Sequence, residues 1–104
     1  MRVAVIYRPR NAAPLEVGPM LMQGLGQWVE RYSGRFSVIE FFAIGGGLVL
    51  ADFDDAAELQ RVLAENPFTP YMDVEIMPVV DPGAAIATYG EVFAAFAAAG
   101  QPPG

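Results

Sequence analysis

The stretch FSVIEFFAIGGGLVLADF, residues 36–53, is two apolar segments joined by three consecutive glycines. Short runs rich in β-branched and aromatic residues read as strands, and a glycine-rich joint between two of them reads as a hairpin. The stretch therefore predicts strands over Phe36–Ile44 and Leu48–Phe53, with Gly45, Gly46 and Gly47 as a permissive turn. Neither strand alternates cleanly. Only Ser37, Glu40 and Asp52 interrupt the apolar character of the two strands, whereas an antiparallel sheet with one wet face alternates apolar and polar residues. Both faces of this hairpin ask for cover.

Working outward, Arg2–Arg8 reads as a strand stopped by Pro9, followed by a loop over Arg10–Ala13. A helical pattern opens at Pro14, or at Pro19 as a first-turn proline. Its face is Leu21, Leu25, Trp28, Val29 and Tyr32, and Gly34 is a natural stop. Beyond the hairpin, Asp55 and Glu58 have capping-box spacing, and Leu59, Val62 and Leu63 form the face of a second helix that Asn66-Pro67 ends. A fourth strand is expected over Tyr71–Val80, and Pro78 inside it places it at a sheet edge. Asp81-Pro82 opens an alanine-rich third helix to about Ala98, with Ile86, Tyr89, Phe93 and Phe96 along it, and Gln101–Gly104 reads as a frayed tail. The order β-α-β-β-α-β is the α+β, ferredoxin-like pattern: a four-stranded antiparallel sheet with helices on one face, plus a C-terminal helix. The second and fourth strands belong at the edges. One domain spans residues 1–104.

Two helices cover one face of such a sheet. The other carries about six large apolar groups, and leaving them wet forgoes on the order of 10 kcal/mol. The reading preferred here is a homodimer with two sheets face to face; the alternative is a monomer sealed by its own third helix.

Composition narrows the chemistry. Twelve acids against six basic residues, all arginine, give a net charge of -6 with no histidine and no cysteine. No basic patch is present to displace counterions, which argues against nucleic acid and anionic membrane surfaces as partners. Thiolate and Ser-His nucleophiles, ordinary zinc sites and lysine Schiff bases are excluded. No targeting segment is visible, and the longest apolar run, Phe41–Ala51, falls short of the ~20 residues of a spanning helix; the expected location is cytoplasmic.

The candidate residues follow from what remains. Glu40, set among apolar neighbours, is the candidate proton shuttle, because desolvation would raise its pKa toward neutrality. Tyr7 is the candidate donor to a developing enolate and Asp73 a third catalytic candidate; a cavity combining Tyr7, Glu40 and Asp73 would be a plausible site. Period two puts Phe36, Val38, Glu40, Phe42 and Ile44 on one face, and Asp73, Glu75, Tyr71 and Met77 on another. Arg8 is a candidate carboxylate anchor, with Met22, Trp28, Phe42 and Tyr71 as candidate substrate-binding residues. The plainer reading pairs Asp73 and Glu75 with Arg2 or Arg8 across the sheet. Asp52, Asp54 and Asp55 would suit a hard cation, but helix capping explains them more simply, and no metal or cofactor is expected.

The segment LAENPFTPYMDVEIMP, residues 63–78, resembles the signature of the muconolactone isomerase family, where a short helix leads through a proline–aromatic turn into the last strand. The preceding GLVLADFDDAAELQRVL, with VAVIYRPR and FFAIGGG, is similar to less-characterised members. The resemblance implies a dimeric α/β barrel of ferredoxin-like subunits, sometimes assembled further, and a cofactor-free double-bond shift in a small lactone. One departure stands out: the family's proton-transfer carboxylate lies on the first helix, where this chain has Leu21, Met22 and Gln23. Two functions are therefore carried forward. One is a cofactor-independent isomerase acting on a small lactone-like or apolar acid; the other is a non-catalytic ligand-binding or oligomer-forming domain of the same fold.

Overall fold

A computed structural model describes residues 1–100, so the expected tail over residues 101–104 lies outside the described residues. Four strands form one antiparallel sheet: β1 (Arg2–Pro9), β2 (Phe36–Phe41), β3 (Gly47–Asp52) and β4 (Met72–Pro78). Their order is β2-β3-β1-β4, the ferredoxin-like order with the second and fourth strands outermost. Pro78, which has no N–H for a ladder, closes the edge strand β4 beside Val3.

The helices α1 (Gly18–Tyr32) and α2 (Ala56–Glu65) cover one face of the sheet. Val3, Val5 and Tyr7 of β1, with Val49 and Ala51 of β3, point into that layer and are buried against Trp28 and Val62. Trp28 packs at 5.1 Å from Phe36, and its indole Nε1 donates to the Val62 carbonyl at 2.8 Å, tying α1 to α2. Both readings of where the first helix begins contain part of the answer. A single 3-10 turn over Leu15–Val17 follows Pro14, and α1 proper starts at Gly18, with Pro19 in its first turn. At the second helix the Asp55 side chain accepts from the Glu58 N–H at 2.8 Å, while Glu58 accepts from the Asp54 N–H at 2.9 Å. The capping box is thus real, displaced by one residue on its return bond.

Two features of the hairpin differ from the expectation. β2 ends at Phe41, not Ile44, because Phe42 starts a turn: its carbonyl accepts from Gly45 N–H at 3.0 Å, and its own N–H donates to Gly46 at 2.9 Å. Gly45 and Gly46 take φ of 103° and 80°, which side chains resist. A Cβ on Gly46 would also collide with the Tyr7 carbonyl oxygen. Gly46→Ala is expected to lose at least about 2 kcal/mol, strain and collision acting together; chemical denaturation reads it directly. The second difference is a bulge between Phe36 and Val38, with Ser37 donating to the Leu50 carbonyl at 3.1 Å. It breaks the period of two. Phe36 faces the helices opposite Ala51, whereas Val38 and Glu40 pair with Leu50 and Leu48 on the other side.

That other side is open. Register places Ala4, Ile6, Val38, Leu48, Leu50 and Met77 on it. The third helix, α3 (Pro82–Ala98), does not cover it. It buries none of its side chains, leaving Ile86 71% and Tyr89 65% exposed, and the chain extends over 64 Å along its long axis. Pro82 sits in its first turn behind Asp81, whose carboxylate caps the Ala84 N–H at 3.1 Å. In this chain the last helix does not seal the sheet.

Candidate functional site

The sheet and α1 do not close on each other at one end. There, where β1 and β2 finish and β3 and β4 begin, a cavity of about 370 Å³ opens to the surface. Its wall is formed by Met22 and Leu25 of α1, Ile39 and Phe41 of β2, Phe42 of the turn, and Phe68 and Met72 beyond α2. Tyr7 and Asn66 are its polar side chains on the helix-facing layer. The size and make-up, an apolar pocket with a few converging polar groups, match those of small-molecule sites.

The polar pair is unusual. Among the described residues the buried Tyr7 hydroxyl has no hydrogen-bond partner of ordinary geometry, although such groups are nearly always satisfied; the Asn66 side chain stands near it without closing a full bond. Burial pushes its pKa up to about 12, a rise the neighbouring Asn66 side chain partly offsets. The phenol is therefore a neutral O–H donor across the working pH range. Asn66, 4% exposed, is fixed by its local turn. Its Oδ1 accepts from the Phe68 N–H at 3.0 Å, and its backbone carbonyl accepts from the Thr69 N–H at 3.1 Å. With the oxygen engaged, the Asn66 amide offers N–H donors to its surroundings.

The residues singled out from sequence divide between this cavity and other places. Tyr7, Met22 and Phe42 line it. Glu40 borders it, but its register with Leu48 puts its side chain on the open face of the sheet. Asp73 stands on that open face too, opposite Arg8, while Tyr7 faces the helices. The proposed trio of Tyr7, Glu40 and Asp73 is thus divided between two faces of one sheet, and the chain does not assemble it. Arg8 is not a cavity residue either; its guanidinium bonds Glu75 at 2.6 Å. Arg10 approaches Asp73 at 3.7 Å and donates to the Pro70 carbonyl at 2.8 Å. These are the cross-strand pairings the plainer reading anticipated, with Arg10 in place of Arg2. Tyr71 serves through its backbone, its carbonyl accepting from Arg10 and Asn11 N–H groups. Trp28 is core, sealed by its bond to Val62, and touches only a smaller groove beside Arg31 and Glu65. In that groove's vicinity Tyr32 and Arg31 both bond Glu65, and the Tyr32 hydroxyl is the main reason its carboxyl titrates below the usual range. Asp54 pairs with Arg35 at 3.6 Å, so the acidic run at the second helix is committed to pairing and capping.

Asn66, Leu25, Phe41, Phe68 and Met72 escaped the sequence reading. Asn66 looked like a helix terminator before Pro67, which it also is: its N–H donates to the Leu63 carbonyl at 3.3 Å. The available signal was a polar residue inside the most distinctive segment of the chain.

A family model described as a domain of unknown function, DUF3303, matches residues 5–93. The chain belongs to that family. This DUF3303 member is also similar to the muconolactone Delta-isomerase of Rhodococcus opacus, 34% identical over 67 residues, a match that spans 62% of either chain. The resemblance read from residues 63–78 is borne out. Among solved structures, muconolactone isomerase superposes with a TM-score of 0.64 at 19% identity, covering 79% of this chain and 92% of that one. The 5-chloro-2-hydroxyhydroquinone dehydrochlorinase of Burkholderia phenoliruptrix AC1100, solved with 2,5-dihydroxybenzoquinone, superposes at 0.61 with 13% identity, covering 79% and 97%. Both share the DUF3303 member's fold of four antiparallel strands and two helices. Among the described residues no helix is long and apolar enough to cross a membrane.

Proposed function

We propose that the cavity beneath α1 is the working site, that it takes a small carbonyl compound of the lactone-like or apolar-acid class, and that the chain promotes a proton shift on it without a cofactor, as an isomerase. One observation carries this reading: the unpartnered Tyr7 hydroxyl in an apolar cavity, beside Asn66. A buried donor without a partner is costly to the folded chain and becomes useful when a guest's carbonyl oxygen accepts from it. Loss of a proton from the carbon beside that carbonyl, taken up by water at the cavity's open mouth and returned at the far carbon of the allylic system, builds charge on the same oxygen in between, where a preorganised donor acts most strongly. The similarity to muconolactone Delta-isomerase supports the reaction class. The open sheet face supports a homodimer as the working unit, two sheets packed face to face, with further assembly compatible with the exposed α3.

The orientation of Glu40 favours a second reading, in which the cavity binds its guest and no proton moves. Exchange into heavy water separates the two. A butenolide incubated with the protein is expected to exchange the hydrogen on the carbon next to its conjugated system, followed by proton NMR. Binding without exchange supports the non-catalytic reading. Because Glu40 lies on the opposite face from Tyr7, Glu40→Gln is expected to leave that exchange within about twofold of wild type, a change typical of an exposed substitution. Complete loss of exchange in this variant would restore Glu40 as the base.

A further inference from the structure

Resting on the reading of this cavity as a small-molecule site, the charge of its guest is also legible. Among the described residues that line the cavity there is no arginine side chain, and its polar side chains facing the helices are the neutral Tyr7 and Asn66. Arg8 and Arg10, the cations at this end of the sheet, are engaged with Glu75 and Asp73. Glu40, at the cavity's border with its side chain turned to the open face, supplies no cation, and the whole chain carries -6. In the glycine turn the Gly45 N–H is committed to the Phe42 carbonyl.

We propose that, of the two guest classes, the cavity selects uncharged carbonyl compounds, such as a neutral lactone, ester or quinone, over ionised acids, and rejects analogues that carry a carboxylate into it. An anion placed among Met22, Leu25, Phe41 and Phe68 loses its water and meets no cation. Tyr7 shows the direction of that penalty from within: burial pushes its pKa from 10.0 up to about 12, against a charge at that place. A neutral carbonyl accepting from Tyr7 and Asn66 incurs none of it. The arrangement therefore discriminates by charge while leaving the hydrogen-bonding end of the guest unchanged.

The test is a matched pair of probes, a butenolide carrying a carboxymethyl arm and the methyl ester of the same compound. Trp28, the single tryptophan, lies 6.4 Å from Tyr7 ring to ring and reports binding by its fluorescence. The ester is expected to bind about 100-fold more tightly than the carboxylate at neutral pH, following the penalty on a buried charge. Met22→Arg, at a position already 60% exposed, is expected to restore affinity for the carboxylate by placing a cation at the mouth. Equal or tighter binding of the carboxylate by wild-type protein overturns the charge selection and leaves the site standing. Binding of neither probe overturns both.

Discussion

Tyr7→Phe is expected to make the protein more stable and less able to handle its guest. The hydroxyl removed is buried and unpartnered, and such a group costs about 1–3 kcal/mol. Phenylalanine keeps the ring that packs edge-on against Trp28 at 6.4 Å. The variant should therefore gain about 1 kcal/mol, or roughly 4–8 °C in Tm for a domain of this size. Proton exchange on a bound butenolide should fall about 100–1,000-fold, the usual effect of deleting one oxyanion donor. The alkaline limb follows with its own sign. A tyrosine that titrates near 10.0 when unfolded and at about 12 when folded holds its full contribution below the lower value. It loses that contribution as pH rises through the upper one, and Tyr7→Phe should abolish that loss. A destabilised variant with unchanged exchange would mean that Tyr7 is ordinary core.

Leu50→Glu is expected to break the proposed face-to-face dimer while leaving the subunit folded. Leu50 lies mid-sheet on the uncovered face, paired with Ala4 on one side and Val38 on the other. In a lone subunit a carboxylate there reaches water. Between two sheets it is unpaired and buried, and a two-fold interface contains it twice. At about 2 kcal/mol for each, the dimer should weaken about 1,000-fold. Sedimentation equilibrium of wild type and variant reads the change. Wild-type protein that remains a single subunit at micromolar concentration would contradict the face-to-face arrangement.

The parts of the fold that sequence made legible rest on local chemistry. Three glycines between apolar runs can only turn, Pro78 cannot sit in a central strand, and Asp55 three residues ahead of Glu58 caps a helix wherever it occurs. The parts that were hidden depend on counting across strands. Nothing in residues 36–41 announces that Ser37 is an extra residue, because a bulge is defined by the partner strand. One unpaired residue reversed Phe36 relative to Val38 and Glu40. Glu40, the most telling residue of the site in the sequence, borders the cavity with its side chain on the open face of the sheet. Tyr7 was visible through its parity with Val3 and Val5, since β1 is regular along its length. Asn66 was obscured by its second role as the end of α2, and α3, apolar nearly all round, carries no one-sided stripe to tell what it packs on.

The most direct measurement is a crystal structure of the protein with the butenolide methyl ester bound. The expected result is a carbonyl oxygen about 2.6–3.0 Å from the Tyr7 hydroxyl, with the ring against Phe41, Phe42 and Phe68 and its polar end beside Asn66. An ester bound on the open face of the sheet, or seated in the cavity with Tyr7 still unpartnered, would contradict the assignment of this pocket as the working site.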